Sequence, residues 1–401
     1  MKGVVQDQAR SSRKSIAQRA RESAGRSVML RSFFIAAWAA LLFLPFHGIR
    51  SALVLFAGIF AGLPVMQSAM RLGGPGEWMQ RLPGFRAFTL RSFPFLRTSA
   101  LPVFLLALFV LPFTLKDYYL DVLVMSGIYM LLALGLNVIV GFTGLLNLGF
   151  AAFYAIGAYT YALLNTKFGL GFWPSLPLSA VAATLSGLLL AVPALRLRGD
   201  YLAIVTLGFG EILRIVLNNW DSLTNGPNGI SGIAPPFLFG ISLGSLNFYY
   251  YLVLGLVLLS VLIIRRVKSS RVGRAWIAIR ENEIAASSVG VNVTRYKLYA
   301  FAFGTFWAGI AGALFAAKMR FVSPESFTFM ESVFILSMVI LGGIGNIYGA
   351  LAGAFILVLL PEALRDVQMY RMLLLGAGLV LLMIFRPQGI LGGRKGVRIR
   401  G

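Results

Sequence analysis

Residues 273–296, GRAWIAIRENEIAASSVGVNVTRY, form a polar stretch between two long apolar blocks at 248–264 and 297–317. In a membrane protein such a stretch lies outside the lipid, because polar groups inside the hydrocarbon region need partners. Its charged and small residues, followed by Gly290, favour a short helix that ends in a left-handed glycine cap. The stretch therefore predicts a short solvent-exposed helix that can dock onto a soluble partner.

The composition assigns the whole chain to the membrane. Of its 401 residues, 58% are hydrophobic and 12% are charged, whereas soluble domains carry about 25% charged residues. The apolar residues form blocks at 32–47, 51–70, 99–115, 120–140, 144–164, 174–194, 201–218, 248–264, 297–317, 332–346, 347–361 and 371–385. The predicted fold is an all-α polytopic integral membrane protein with about 10–12 transmembrane helices. The lower number applies if 332–346 and 347–361, which are short and joined by glycines, are broken or re-entrant.

The positive charge is concentrated between the apolar blocks. The net charge of +22 comes mainly from the N-terminal tail, the gaps 71–98, 195–199 and 265–296, and the C-terminus. The positive-inside rule places all of these in the cytoplasm, close to anionic lipid headgroups. No basic stripe interleaved with stacking aromatic residues accompanies them, so nucleic acid is excluded as a partner.

Several kinds of chemistry are missing from the sequence. It contains no cysteine and a single histidine, His47, so we predict no metal site and no cofactor. The phosphate-binding pattern Gly-x4-Gly-Lys-Ser/Thr does not occur, so the chain is not expected to hydrolyse ATP. No nucleophile–base pair suggests a catalytic site, and we predict that the protein is not an enzyme.

Polar residues within the apolar blocks are the candidates for a solute path. Asn137, Thr143 and Asn147 lie around the Gly141–Asn147 stretch, where glycines and polar groups predict an unwound segment lining a pathway. Glycine in spans also permits close helix packing, which is the alternative interpretation. Glu211 and Arg214 lie three residues apart, on one helix face, and can form a salt bridge. Glu211 is the remaining path candidate, because ionisable residues in spans are often functional.

The loop at 219–235 contains the dipeptides Asn225-Gly226 and Asn228-Gly229. Asn and Gly tolerate a positive φ, so both dipeptides predict turns. The charge distribution places this loop outside the cell. It is either a compact surface loop or, through Asn225 and Asn228, a docking surface for an external partner.

Four segments together resemble a known family. They are GLNVIVG at 135–141, RGDYLAIVTLGF at 198–209, NGPNGI at 225–230 and the polar stretch at 273–296. In this order they are similar to the LivM-type permease of bacterial branched-chain amino acid ABC transporters, over residues 118–391. The charge distribution predicts basic cytoplasmic tails at 1–31 and 392–401. The resemblance implies a permease core at 118–391 with a cytoplasmic coupling loop at 265–296, and the residues before it look like an extension with about three transmembrane helices at 32–117.

The resemblance also implies partners and a location. These are a second, LivH-like permease subunit, two cytoplasmic ATPase subunits and a periplasmic substrate-binding protein, around a multi-pass protein of the bacterial cell inner membrane. The coupling loop of ABC permeases follows the pattern Glu-Ala-Ala-x-x-x-Gly. Ala285, Ala286 and Gly290 fit this spacing, with Ile284 at the glutamate position and Glu283 one residue earlier. The ATPase-docking residues implied are Arg280, Glu281, Glu283, Ala285, Ala286 and Gly290.

The function implied by the resemblance is the import of branched-chain or related amino acids, powered by ATPases on separate chains. Two alternatives remain open. The same machine could carry urea, an amide or another small solute. In a different class, an ion-coupled secondary transporter would need no ATPase and would use Glu211 as its coupling carboxylate.

Overall fold

The computed structural model describes residues 109, 111–113, 115–195, 197, 199–238, 241–242, 245–363, 376, 380 and 389–390. These residues belong to the second of the two units into which the chain divides, Leu105–Gly401. The predicted tails at 1–31 and 392–401, and most of the extension at 32–117 and of the block at 371–385, lie outside the described residues.

Helices form almost all of the described chain. The long helices are α1 (Asp117–Leu136), α2 (Phe150–Phe168), α3 (Phe172–Ala194), α4 (Asp200–Asn219), α6 (Leu246–Ser269) and α9 (Val293–Met319). The shorter ones are α5 (Asp221–Thr224), α7 (Arg271–Glu281), α8 (Glu283–Ser288), α10 (Phe329–Gly342) and α11 (Ile347–Ala363). A π-helical segment, Asn137–Phe142, continues α1. Each predicted block between 120 and 361 thus corresponds to one helix.

Four helices in the described part of the chain are long and apolar enough to span a membrane: α1 with its π-helical extension, α3, α6 and α9. Helices α10 and α11 are apolar but shorter. The 14 residues of α10 span about 21 Å, less than the ~30 Å hydrocarbon core. The block 332–346 is therefore short, as predicted, and residues 343–346 between α10 and α11 are not helical. Helix α2 corresponds to the block at 144–164. Its predicted start at residue 144 was wrong, because the helix begins at Phe150.

Helix α9 lies at the centre of the bundle and packs against α1, α2 and α3. Its glycines allow this packing. A Cβ atom on Gly157 of α2 would lie 2.4 Å from the Gly309 carbonyl oxygen of α9. Side chains larger than hydrogen would separate the two backbones, and close backbone approach is what holds helices together in lipid. The packing interpretation of glycine is confirmed at this crossing.

Two short sheets close one end of the bundle. β1 (Ile230–Ser231) pairs antiparallel with β4 (Phe321–Val322), with Ile230 opposite Val322. β2 (Phe237–Leu238) pairs antiparallel with β3 (Ile241–Ser242). Helix α9 has 27 residues, about 40 Å, with α8 before its first residue and β4 after its last. The loop at 219–235 and the stretch at 273–296 therefore lie at opposite ends of α9.

Candidate functional site

The polar stretch forms two helices, α7 and α8, which with Val289 and Gly290 we call the docking segment (residues 271–290). Asn282 separates them with an extended backbone, φ −161°, and its Oδ1 accepts a hydrogen bond from the Ala285 N–H at 3.0 Å. Asn is a preferred helix N-cap because its side chain satisfies a free N–H of the first turn. The prediction of one short helix was therefore wrong, because Asn282 ends α7 and starts α8.

The end of α8 has the geometry predicted for Gly290. Its φ is +84°, a conformation that glycine adopts without the penalty of a Cβ atom. The Gly290 N–H donates to Ser287 O at 3.0 Å, and the Val291 N–H donates to Ala286 O at 3.1 Å. This pair of bonds is a Schellman motif, so the predicted glycine cap is confirmed.

The exposed face of the docking segment is not the one expected from the family pattern. Ile284 and Val289 are 68% and 78% exposed, and Glu281 and Ala285 are also exposed. Ala286 is 3% exposed. Adjacent helical residues point about 100° apart, so Ala285 and Ala286 cannot share one docking face. Ala286, which the family pattern places among the ATPase-docking residues, is instead buried against the bundle.

Two further docking candidates make contacts within the chain. The Glu283 carboxylate forms an ion pair with the buried Lys297 ammonium of α9, Oε2 to Nζ 2.8 Å. Arg280 Nη1 donates a hydrogen bond to the Gly141 carbonyl oxygen in the π-helical segment. Both side chains fasten the docking segment to the membrane helices. The exposed members of the predicted set are Arg280, Glu281, Ala285 and Gly290, and of these Arg280 also bonds inward.

Asn137 and Thr143, two of the path candidates, are buried and bonded to the protein's own backbone. Asn137 Oδ1 accepts from the Gly345 N–H at 2.9 Å, and its Nδ2 donates to Asn346 O at 3.3 Å. The Thr143 hydroxyl donates to Ile139 O at 2.6 Å. Buried polar groups paired in this way satisfy backbone groups that helices leave free. The arrangement therefore indicates a structural role for these two residues.

The unwound segment predicted at Gly141–Asn147 is present in part, because residues 141–143 are helical whereas residues 144–149 are not. Side chains cap the backbone where α2 begins. The Leu148 N–H donates to Thr206 Oγ1 of α4 at 3.0 Å, and the Ala151 N–H donates to Ser332 Oγ of α10 at 2.9 Å. The first turn of α2 thus depends on hydroxyl groups of two neighbouring helices.

Asn147 and Glu211 lie at this interruption. Asn147 Oδ1 accepts from the Gly149 N–H at 3.0 Å, and its buried Nδ2 has no partner among the described residues. Glu211 lines a narrow cleft together with Gly149, Gly210 and Ser332. The predicted Glu211–Arg214 salt bridge is confirmed, with Nη2 to Oε2 at 3.0 Å. Both side chains are about one-third exposed, so the pair lies at the surface of this subunit.

Sequence reasoning missed several charged residues at block boundaries. Lys268 and Lys297 lie at the ends of α6 and α9 and bond inward, to Gly345 O and Glu283. Glu331 precedes the predicted block 332–346 by one residue. Its Oε1 is buried without a partner in the described part of the chain. Glu331 directly precedes a predicted block, Lys297 is the first residue of the block 297–317, and Lys268 lies four residues after the block 248–264, so a charge at or near a block end was the signal available.

At the other end of the bundle, the loop residues form the predicted turns. Asn225 has φ +62°, and its Nδ2 donates to Gly229 O at 2.9 Å. Asn225 and Asn228 are exposed. Asn225 also lines an open cavity of about 330 Å³ with Lys167, Asp221 and Ser231. No group of three potential metal ligands comes together among the residues that the structure describes.

Comparison with known proteins identifies the family. Residues 118–383 match the family model for the branched-chain amino acid transport system / permease component. The chain is 49% identical over 316 residues to the high-affinity branched-chain amino acid transport system permease protein LivM of Escherichia coli (strain K12), covering 72% of this chain and 74% of the relative. It is 27% identical over 288 residues to the corresponding permease protein LivH of Salmonella typhimurium, covering 67% of this chain and 92% of the relative.

A more distant relative is the probable branched-chain amino acid transport permease protein LivM of Methanocaldococcus jannaschii. It is 24% identical over 322 residues, which is 67% of this chain and 92% of the relative. No solved structure matches the chain. The matched region contains the interruption at residues 144–149, the docking segment and the loop at 219–235. Because the family model covers more than half of the chain, the chain belongs to the permease-component family of branched-chain amino acid transport systems.

Proposed function

We propose that this protein is a transmembrane permease subunit of an ATP-binding cassette importer that carries branched-chain amino acids across the bacterial inner membrane. The N- and C-termini and the docking segment lie in the cytoplasm, as the distribution of Lys and Arg favours. Two ATPase subunits bind the complex from the cytoplasm, one of them on the docking segment, a LivH-like permease completes the pore, and a periplasmic binding protein delivers the substrate.

The docking segment is the observation that carries this proposal. Helix α8 and its C-cap leave Ile284 and Val289 exposed next to polar residues at the end of a membrane bundle. Large apolar side chains surrounded by a polar rim are typical of a protein interface. The segment is fastened to the bundle through Arg280 and Glu283, so a partner bound there can move the membrane helices.

The exposed face of α4 supports a second membrane subunit. Ile204, Ile212 and Ile215 are exposed on this helix, and Glu211 and Arg214 form their ion pair there. Apolar side chains can face lipid, but a pair of charges facing hydrocarbon is costly. Covering this face with another permease, or with a water-filled path between the two, removes that cost.

The substrate path runs beside the interruption that precedes α2. A branched-chain amino acid carries a carboxylate, an ammonium group and an apolar side chain. The N-terminal end of α2, starting at Phe150, carries a partial positive charge suited to the carboxylate. Glu211 is suited to the ammonium group, and its cleft includes the apolar residues Leu148 and Leu207. Asn147 and Glu211 are therefore retained as path residues.

The loop at 219–235, which we call the outer loop because the charge distribution places it outside the cell, is the proposed contact for the binding protein. Asn225 and Asn228 are exposed at the end of α9 opposite the docking segment. The pairing of β1 with β4 fixes the loop to the end of α9. A rigid exposed loop is a suitable surface for a partner, because binding then costs little conformational entropy.

The test is reconstitution of the complete complex in proteoliposomes with radiolabelled leucine. We expect uptake to require both ATP and the binding protein, and to be reduced by excess unlabelled isoleucine or valine. If uptake is inhibited by urea or an amide instead, the same ABC importer has a different substrate. Uptake that follows an ion gradient and needs no ATP would contradict the ABC assignment.

Replacing Glu211 with Gln is expected to lower leucine uptake about tenfold or more, because hydrogen bonds to charged groups contribute about 1.5–3 kcal/mol. The effect should appear mainly as a higher half-saturating concentration of leucine. Asp117→Asn, which removes an exposed carboxylate at the start of α1, is the matched control. Equal uptake by the two variants would exclude Glu211 from the path.

A further inference from the structure

Two interruptions of regular α-helix are in direct contact. One begins with the π-helical segment Asn137–Phe142 and continues through residues 144–149, and the other is the glycine loop, residues 343–346, between α10 and α11. Asn137 bridges them through the Gly345 N–H and the Asn346 carbonyl. A Cβ atom on Gly141 would lie 2.7 Å from the Gly345 nitrogen. The backbones thus touch where both helices end, although they are separated by more than 200 positions in sequence.

Each interruption presents a carbonyl oxygen to a cation from the docking side. Arg280, the penultimate residue of α7, donates to Gly141 O. Lys268, in the last turn of α6, donates from Nζ to Gly345 O at 2.9 Å. The Gly141 carbonyl lies in the last turn of the π-helical segment, where carbonyls lack intrahelical partners and a cation is stabilising. The Gly345 carbonyl belongs to the loop between α10 and α11. The two cations therefore bind one backbone carbonyl in each interruption.

Aromatic packing surrounds these contacts. The Lys268 ammonium lies 4.9 Å from the centre of the Phe142 ring, and Phe142 stacks on Trp276 of α7 with ring centres 6.4 Å apart. The Trp276 indole N–H donates to Tyr296 O of α9 at 2.8 Å. A cation over an aromatic face and a buried, bonded Trp both restrict movement. These contacts therefore join α6, α7, α9 and the π-helical segment, and we call this cluster of Lys268, Arg280, Phe142 and Trp276 the junction.

From this geometry we infer that Arg280 and Lys268 are positioning residues that transmit movement of the docking segment to the two interrupted helix ends. The inference rests on the proposed function. The glycine loop follows α10, whose Ser332 caps α2, and the π-helical segment leads into residues 144–149. Both routes from the junction reach the cleft that contains Glu211. Arg280 and Lys268 act through the Gly141 and Gly345 carbonyl oxygens that they bind, and not through contact with the substrate or the ATPase.

The test uses the reconstituted complex with Arg280→Gln and Lys268→Met combined. We expect the ATPase subunits to copurify in normal amount and ATP hydrolysis to continue, while leucine transported per ATP falls about tenfold, within the range of ordinary coupling free energies. Lys116→Met is the matched control. Lys116 is an exposed lysine directly before α1, outside the docking segment.

The ratio of leucine transported to ATP hydrolysed distinguishes the outcomes. A ratio equal to that of the wild-type complex, including the case in which hydrolysis and uptake fall by the same factor, would overturn the inference. If the double variant does not assemble, the single variants Arg280→Lys and Lys268→Arg provide the same ratio, because each keeps the charge but alters the reach of the donor. A wild-type complex without ATP-driven leucine uptake would instead refute the proposed function.

Discussion

Gly309→Leu is expected to abolish accumulation of folded protein in the membrane, whereas Gly255→Leu is expected to leave it unchanged. A Cβ atom on Gly309 would lie 2.6 Å from the Ser179 carbonyl oxygen and 2.8 Å from Ala180 Cα. These are backbone atoms of α3, so no side chain can rotate away. A Cβ atom on Gly255 of α6 meets nothing within 4 Å.

The size of the effect follows from the position of α9. Overpacking a core typically costs about 1–3 kcal/mol, and here Gly309 also meets Gly157 of α2 across the other crossing. Helix α9 therefore cannot withdraw from α3 without pressing on α2. The amount of monodisperse protein after detergent extraction, and its temperature of half-inactivation, measure the effect. Similar values for the two leucine variants would contradict this account of the core.

The second large effect is expected at the docking segment. Ile284→Glu combined with Val289→Glu should abolish copurification of the ATPase subunits and with it uptake. Both side chains are largely exposed in this subunit, so the fold should tolerate the change. At the interface, each buried carboxylate without a partner costs on the order of 2 kcal/mol or more. Two of them would weaken binding about a thousandfold.

Recovery of the ATPase subunits after affinity purification of this protein measures the effect directly. Asn228→Glu introduces a carboxylate at an exposed position at the opposite end of the bundle and should not change recovery. Ala286→Glu is unsuitable for this purpose, because Ala286 is buried and the variant would disturb folding. Normal recovery with the double variant would place ATPase docking elsewhere on the chain.

The helices were predictable from the sequence because length and apolar character determine them locally. The interruption after Gly141 was predictable for the same reason, since glycines and polar residues coincide there. The direction in which each side chain points was not predictable from the sequence. Ala285 and Ala286 are equivalent in a sequence pattern, and only the packing of α8 makes one exposed and the other buried.

The partners of polar residues were also beyond sequence reasoning. Asn137 was a path candidate because it is polar within an apolar block, but its bonds reach residues more than 200 positions away. A polar residue that binds a solute and one that satisfies distant backbone look identical in sequence. Glu331 was overlooked because the predicted block began one residue later, where α10 had already begun at Phe329.

The hydroxyl caps at the start of α2 limit how this subunit can move. The Leu148 and Ala151 N–H groups depend on Thr206 of α4 and Ser332 of α10 as acceptors. If either helix separates from α2 in a dry interior, an amide is left without an acceptor, which costs about 1–3 kcal/mol. A water molecule that enters the gap removes this cost. Hydration of the cleft and separation of the helices are therefore a single event, and an anhydrous open state is disfavoured.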